Sequence, residues 1–176
     1  MRNFRDYLRH AEKQLSMAED AIEHKEDTER FLIPAIILAW SAVESFVNSR
    51  CDDLNSLPSD MFEMHERAFL SEKHLRFADN GTNLGRFVLE GHEYQPLENK
   101  MFFLLAKLGS QDTSNFKGGA LWQKFRNFKE VRDSLVHPRR DTEKEFSPQD
   151  VRAYIDTAKE LIQVISERIW KTKVDF

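Results

Sequence analysis

The stretch Phe31-Leu-Ile-Pro-Ala-Ile-Ile-Leu-Ala-Trp-Ser-Ala-Val-Glu-Ser-Phe-Val-Asn-Ser-Arg-Cys-Asp-Asp-Leu54 decides the fold. Ile33, Ile37, Trp40, Glu44, Val47, Cys51 and Leu54 recur at alternating steps of four and three, and Ile36, Val43 and Phe46 widen the stripe. A wide apolar face with this period is the pattern of a helix at the centre of a bundle. Pro34 falls close enough to the helix start to be tolerated, and Leu57-Pro58 closes the element.

On the N-terminal side, Phe4, Leu8, Ala11, Leu15, Ala18 and Ile22 mark a first amphipathic helix that ends near the charged stretch His24 to Arg30. On the C-terminal side, a third and more polar helix is expected from Ser59 to about Phe77, followed by a turn at Asp79-Asn-Gly-Thr-Asn83. Gly81 to Pro96 has no clear period and reads as loop; Leu97 to Leu108 reads as helix and Gly109 to Gly119 as a connection. A helix from about Leu121 to Val136 follows. Ser147-Pro-Gln-Asp150 then supplies an N-cap, a first-turn proline and an acidic third position ahead of a last helix with Val151, Ile155, Ala158, Ile162, Ile165 and Ile169 on one face.

Composition agrees with an all-α fold. Six Gly and five Pro against 14 Phe and three Trp in 176 residues leave little turn chemistry for many short strands. The chain is expected to be a single-domain helical bundle over residues 1–176, with an excursion at about 59–119 and no internal repeat. The single cysteine, Cys51, excludes an internal disulfide and any multi-Cys zinc site, and suits a reducing compartment. The longest apolar run, Phe31 to Trp40, is about half of the ~20 residues that span a bilayer, and the charged N-terminus has no apolar signal core. The expectation is a cytoplasmic protein without a membrane partner.

Net charge is -4, unevenly spread. From Phe116 to Arg140 seven cations face two anions, a net +5, which leaves -9 for the remainder. One basic element on an acidic body can meet a phosphate chain locally, although a cationic solvated face gives the same pattern.

Zinc-protease, P-loop and dinucleotide fingerprints are absent, and none of the six His has a Glu three positions before it, as a di-iron bundle requires. No metal and no cofactor is expected. His65 and His74, nine residues apart on the expected third helix, face opposite sides and read as surface residues. Ser41 and Ser45 lack any nucleophile-elbow context and read as small packing residues.

The chemically informative stretch is Val131-Arg-Asp-Ser-Leu-Val-His-Pro138. Leu121, Phe125, Phe128, Arg132 and Leu135 share one helical face, so Arg132 falls on an apolar stripe. An unpaired guanidinium there would cost several kcal/mol, so it meets an acid, a polar cleft of a second subunit, or an anionic ligand. Glu44 is the candidate acid, because it also interrupts an apolar face. Pro138 disfavours helix at the residue before it, so the helix should stop at about His137. Five residues of ideal helix separate Arg132 and His137 by about 140°; they converge only if the end unwinds or a second subunit contributes.

Arg132-x4-His137, with polar Asp133 after the arginine and an apolar pair before the histidine, resembles the R-x(4-6)-H signature of HEPN domains. Arg5/His10, Arg67/His74 and Arg86/His92 share the spacing, but only Arg132/His137 ends a strongly amphipathic penultimate helix before a long last one, which is the family's order. Ala39-Trp-Ser-Ala-Val-Glu-Ser-Phe-Val-Asn48 is similar to the family's earlier core helix. Two departures stand out: the excursion at 59–119 is long, and Arg139 occupies the place two after the histidine where members paired with a nucleotidyltransferase commonly have tyrosine.

The resemblance implies a four-helix core with inserted helices, a homodimer with the two motifs facing across a cleft, and a metal-independent endoribonuclease. In that reading His137 moves the proton of a ribose 2'-hydroxyl or of the leaving oxygen, and Arg132 holds the phosphate through its planar fork. Asp133 and Glu44 support them, Asp133 either orienting one of these groups or serving only as a surface acid. Lys129, Arg139 and Arg140 guide the RNA backbone. Cleavage by the 2'-hydroxyl leaves a cyclic phosphate and excludes DNA. An antitoxin partner and a toxin-antitoxin or defence setting follow by analogy. The alternative is a noncatalytic HEPN dimer, a protein- or nucleotide-binding module in which Arg132 is locked to Glu44 and His137 is a helix cap.

Overall fold

The computed structural model describes residues 3–109, 113–137 and 145–176. Their order is α1 (Phe4–Glu23), α2 (Glu29–Asn55), α3 (Met64–Leu70), β1 (His74–Phe77), β2 (Phe87–Glu90), α4 (Leu97–Leu108), α5 (Thr113–Lys117), α6 (Ala120–Val136) and α7 (Pro148–Trp170). The fold is mostly helical. The chain divides into two compact units, one of residues 1–46 with 105–176 and one of residues 47–104; the second overlaps most of the expected 59–119 excursion.

In the first unit, α7 packs along α1 and α6. Side-chain caps start two of the long helices. Asn3 caps α1 by accepting the Arg5 amide, and Ser147 with Asp150 closes a capping box on α7 with Pro148 in the first turn. α1 buries Phe4, Leu8, Ala11, Leu15 and Ala18 as its period requires, but Ala21 rather than Ile22 completes the face and Ile22 is exposed. Every residue of α2 from Phe31 to Cys51 is buried or half-buried, with its closest-packed ridge at Leu32, Ala35, Ile36, Ala39 and Val43. Ile33 and Ile37 sit at the half-buried edge of that ridge. By length and composition α2 is also long and apolar enough to cross a membrane, and half of its most apolar stretch is buried inside the fold. The helix runs well beyond the Phe31–Trp40 run that frames its apolar reading.

The second unit departs from expectation. The helix anticipated from Ser59 to Phe77 is a single 3-10 turn (Ser59–Met61) and the short α3, after which His74–Phe77 is a strand. The supposed loop after Gly81 contains its partner β2, antiparallel with His74 opposite Glu90 and Phe77 opposite Phe87. The physical reason lies in period-two alternation, Leu75 and Phe77 against Phe87 and Leu89, flanked by Gly81, Gly85 and Gly91 at positive φ, which glycine adopts without steric cost. Gly109–Gly119, read as a connection, includes α5. His65 and His74 therefore do not share a helix, though both are exposed as surface residues are, each beside a glutamate, Glu63 and Glu93.

The core of this unit gathers Cys51, Leu54, Phe62, Leu70, Leu97, Met101 and Leu104. Burial pushes the Cys51 thiol up to about 12, so it is a core residue rather than a reactive thiolate. Lys100 is nearly buried and its Nζ donates to Glu72 at 2.8 Å and to Asn48 Oδ1 at 2.9 Å. Burial by itself would raise the Glu72 carboxyl, but the hydrogen bonds from Lys100 and the Gln95 amide and the charges of Lys100 and His92 outweigh it, leaving Glu72 below the ordinary glutamate range. The folded value lies below the unfolded one, so this contribution to stability is whole above the unfolded value and is lost as pH falls through the folded one. Glu72→Gln is accordingly expected to lower the melting temperature at neutral pH, with the gap to wild type closing in acid. Parallel melting curves across the acid range would contradict this.

Candidate functional site

Arg132 projects from α6 toward α2. Its Nη2 donates to Glu44 Oε1 at 2.8 Å and its Nη1 to Asp133 Oδ1 at 2.8 Å. The Cζ stands 5.0 Å from the centre of the Trp40 ring. Trp40 in turn stacks on Phe125 at 5.3 Å and meets Phe128 edge-on at 5.4 Å. Trp40 and Glu44 lie one turn apart on α2, which places ring and carboxylate on the same side of the helix. The expected Glu44–Arg132 pair is therefore present, with Asp133 as a second acid. Trp40 was legible in the sequence only as a core residue; the i, i+4 relation to Glu44 is the signal for its role beneath the guanidinium.

The buried side of α6 is Trp122, Phe125, Phe128 and Val131, so Arg132 flanks the apolar stripe rather than lying at its centre. Its side chain is 24% exposed, against 32% for Glu44 and 43% for Asp133. The guanidinium is thus partly open to solvent. Two N–H groups are engaged by carboxylates, and the guanidinium has five. Held on three sides, it is fixed in orientation before any ligand arrives, but its charge is more than matched by the two acids.

α6 stops where Pro138 predicts. Val136 is its last residue and His137 is the C-cap, with φ -125° and ψ 65° and its amide donating to Asp133 O at 2.9 Å. The His137 side chain is exposed, and among the described residues none hydrogen-bonds its ring. No hydrogen bond joins Arg132 to His137, as the helical separation of about 140° leads one to expect for a single chain. Lys129 is half-buried one turn before Arg132 and Asp133 on α6. Arg139 and Arg140 lie outside the described residues, as does Pro138.

No family model, curated protein or solved structure matches the chain.

Among the described residues no group of three or more His, Cys, Asp or Glu is arranged to hold a metal. A separate open groove of about 340 Å³ runs between α6 and α7, lined by Lys124, Asn127, Ala153, Tyr154, Asp156 and Thr157. Tyr154 stacks on Phe128 at 5.1 Å, and burial, with the Asp150 charge, raises its hydroxyl above the ordinary tyrosine value. None of the residues proposed from the sequence lines this groove.

Proposed function

We propose that the chain is a HEPN-type endoribonuclease that works as a homodimer and needs no metal. One observation carries the reading: an arginine pre-oriented by two carboxylates over an indole, followed at the end of the same helix by an exposed histidine whose ring no described residue engages. RNA transphosphorylation needs those two groups. An imidazole removes the 2'-hydroxyl proton as the oxygen attacks phosphorus, an acid protonates the departing 5'-oxygen, and a fixed cation carries the charge on the phosphorane. A two-fold pair of chains supplies a second imidazole for the acid and brings one copy's His137 toward the other's Arg132, which one helix does not do. Lys129, Arg139 and Arg140 would carry the RNA backbone, and an antitoxin-regulated, cytoplasmic setting belongs to this reading.

The test is incubation of the purified chain with a mixed-sequence RNA in EDTA. Cleavage that leaves 2',3'-cyclic phosphate ends, with DNA untouched, is the expected result. Intact RNA in the presence of a verified folded dimer would overturn it.

A second reading, a noncatalytic HEPN dimer that binds protein or nucleotide, is favoured by the pairing itself. Glu44 and Asp133 together bring two negative charges to one guanidinium, so a phosphate must displace a carboxylate or use the remaining N–H groups. In that case Arg132 fixes α6 against α2 and His137 only caps the helix.

A further inference from the structure

The β1–β2 hairpin carries one wholly apolar face. Leu75 and Phe77 lie opposite Leu89 and Phe87, and all four side chains point to the same side. Phe77 and Phe87 are more than half exposed and touch ring to ring at 5.5 Å. The other face has His74, Arg76, Val88 and Glu90, with Arg76 paired to Glu90 at 2.9 Å. An isolated two-stranded hairpin is marginal in water, and an uncovered apolar face with an open edge is a template for further pairing. α3 packs against β1. Among the described residues neither outer edge is paired, but the equivalent two-fold pairing of β1 would set Arg76 against Arg76, so the edge that can accept a second copy is that of β2.

The ladder fixes which groups that edge presents. Ala78 donates to Arg86 O at 2.8 Å, so Arg86 points its backbone toward β1, and alternation gives Val88 and Glu90 the same direction. Phe87 and Leu89 then aim their N–H and C=O groups outward, and among the described residues nothing pairs with them. The Arg86 side chain is exposed and also has no partner among them.

We propose that β2 pairs antiparallel with β2 of a second copy of this chain, on a two-fold axis through Val88. In that register Phe87 of each copy exchanges backbone hydrogen bonds with Leu89 of the other, and the two apolar faces become one face of a four-stranded sheet. On the opposite face Arg86 of each copy meets Glu90 of the other. Glu90 has a second carboxylate oxygen for it, since Oε1 already holds Arg76. The neighbouring registers lose this complementarity. A one-residue slip turns the apolar face of one copy against the charged face of the other, and centring on Leu89 sets Val88 against Glu90 and Arg86 against His92. Charge and hydrogen-bond direction thus select the same occupant and the same register. The proposal stands independently of the ribonuclease reading, whose residues it does not use.

The experiment is carried out on the full chain. On the axis, Val88 residues form a non-hydrogen-bonded pair about 4.5 Å apart at Cα, within disulfide reach. Val88→Cys is expected to give a disulfide-linked dimer under mild oxidation. Phe87→Cys and Leu89→Cys are each expected to stay unlinked alone and to link when mixed; the buried Cys51 does not compete. Arg86→Glu and Glu90→Arg each place like charges across the pair. Each variant, folded by circular dichroism, is expected to lower the sedimenting mass by the loss of this one interface, leaving any assembly elsewhere on the chain intact. Mixing the two restores the mass, because every crossing pair is then opposite in sign. An unlinked Val88→Cys, equal linking at all three positions, or an unchanged mass in the charge variants overturns the proposal. The first of these is also the outcome if the edge serves a strand from another protein.

Discussion

His137→Ala is expected to reduce RNA cleavage by about 10²–10⁴-fold, the usual contribution of a positioned proton-transfer group, while leaving stability within about 0.5 kcal/mol of wild type. The separation between these two effects comes from the location of the side chain. His137 is exposed at the C-cap, its backbone amide rather than its ring makes the bond to Asp133, and alanine keeps that amide. Loss of cleavage with an unchanged urea midpoint therefore reports chemistry rather than folding. Arg132→Lys provides the companion measurement. It preserves the charge and removes the planar fork, so a phosphate clamp weakens sharply even though one acid remains paired. If both variants cleave as wild type does, any nuclease activity lies elsewhere on the chain or in a contaminant. If wild type itself is inactive, the binding-module reading stands and the Arg132–Glu44 pair is a structural bridge.

How far the sequence could lead is decided element by element. The long helices were legible because each has a cap or a stop with a defined mechanism and an apolar face with one period: Ser147 to Asp150 opens α7, and Pro138 ends α6 at His137. The pairing of Glu44 with Arg132 was legible because a charge that interrupts an apolar face must find a partner, and two such interruptions existed. What could not be read was the hairpin. Four-residue strands give only two residues per face, too few to distinguish a period of 2.0 from one of 3.6. His74-Leu-Arg-Phe77 therefore reads equally as the end of a more polar helix, although the glycines at 81, 85 and 91 mark the turns that strands require. The buried face of α6 is rotated by one position for a related geometric reason: Trp122 and Val131 are buried where the period points to Leu121 and Arg132, because a wide stripe tolerates a rotation that its sequence period does not fix.

The second large effect belongs to Trp40. Trp40→Ala is expected to cost about 3–5 kcal/mol, the range for removing a large aromatic from a packed core, out of a total near ~5–15 kcal/mol for an ordinary domain. The ring is 3% exposed, stacked on Phe125 with 12° between planes and edge-on to Phe128 at 88°. Its loss leaves a cavity that two flanking rings from one rigid helix do not fill. Trp40→Phe should cost only about 1 kcal/mol. It retains a ring, and it removes an indole N–H that is buried without a hydrogen-bond partner among the described residues, so part of the lost packing is offset by a desolvation penalty no longer incurred. Urea unfolding followed by far-ultraviolet circular dichroism measures both, and equal costs for the two variants would refute the stacking account. The consequence reaches the site, because the same ring lies 5.0 Å beneath the Arg132 guanidinium. Phenylalanine preserves that platform and alanine does not. RNA cleavage under native conditions should therefore follow the ring: largely kept in Trp40→Phe, and reduced in Trp40→Ala even where the urea curve shows the protein still folded.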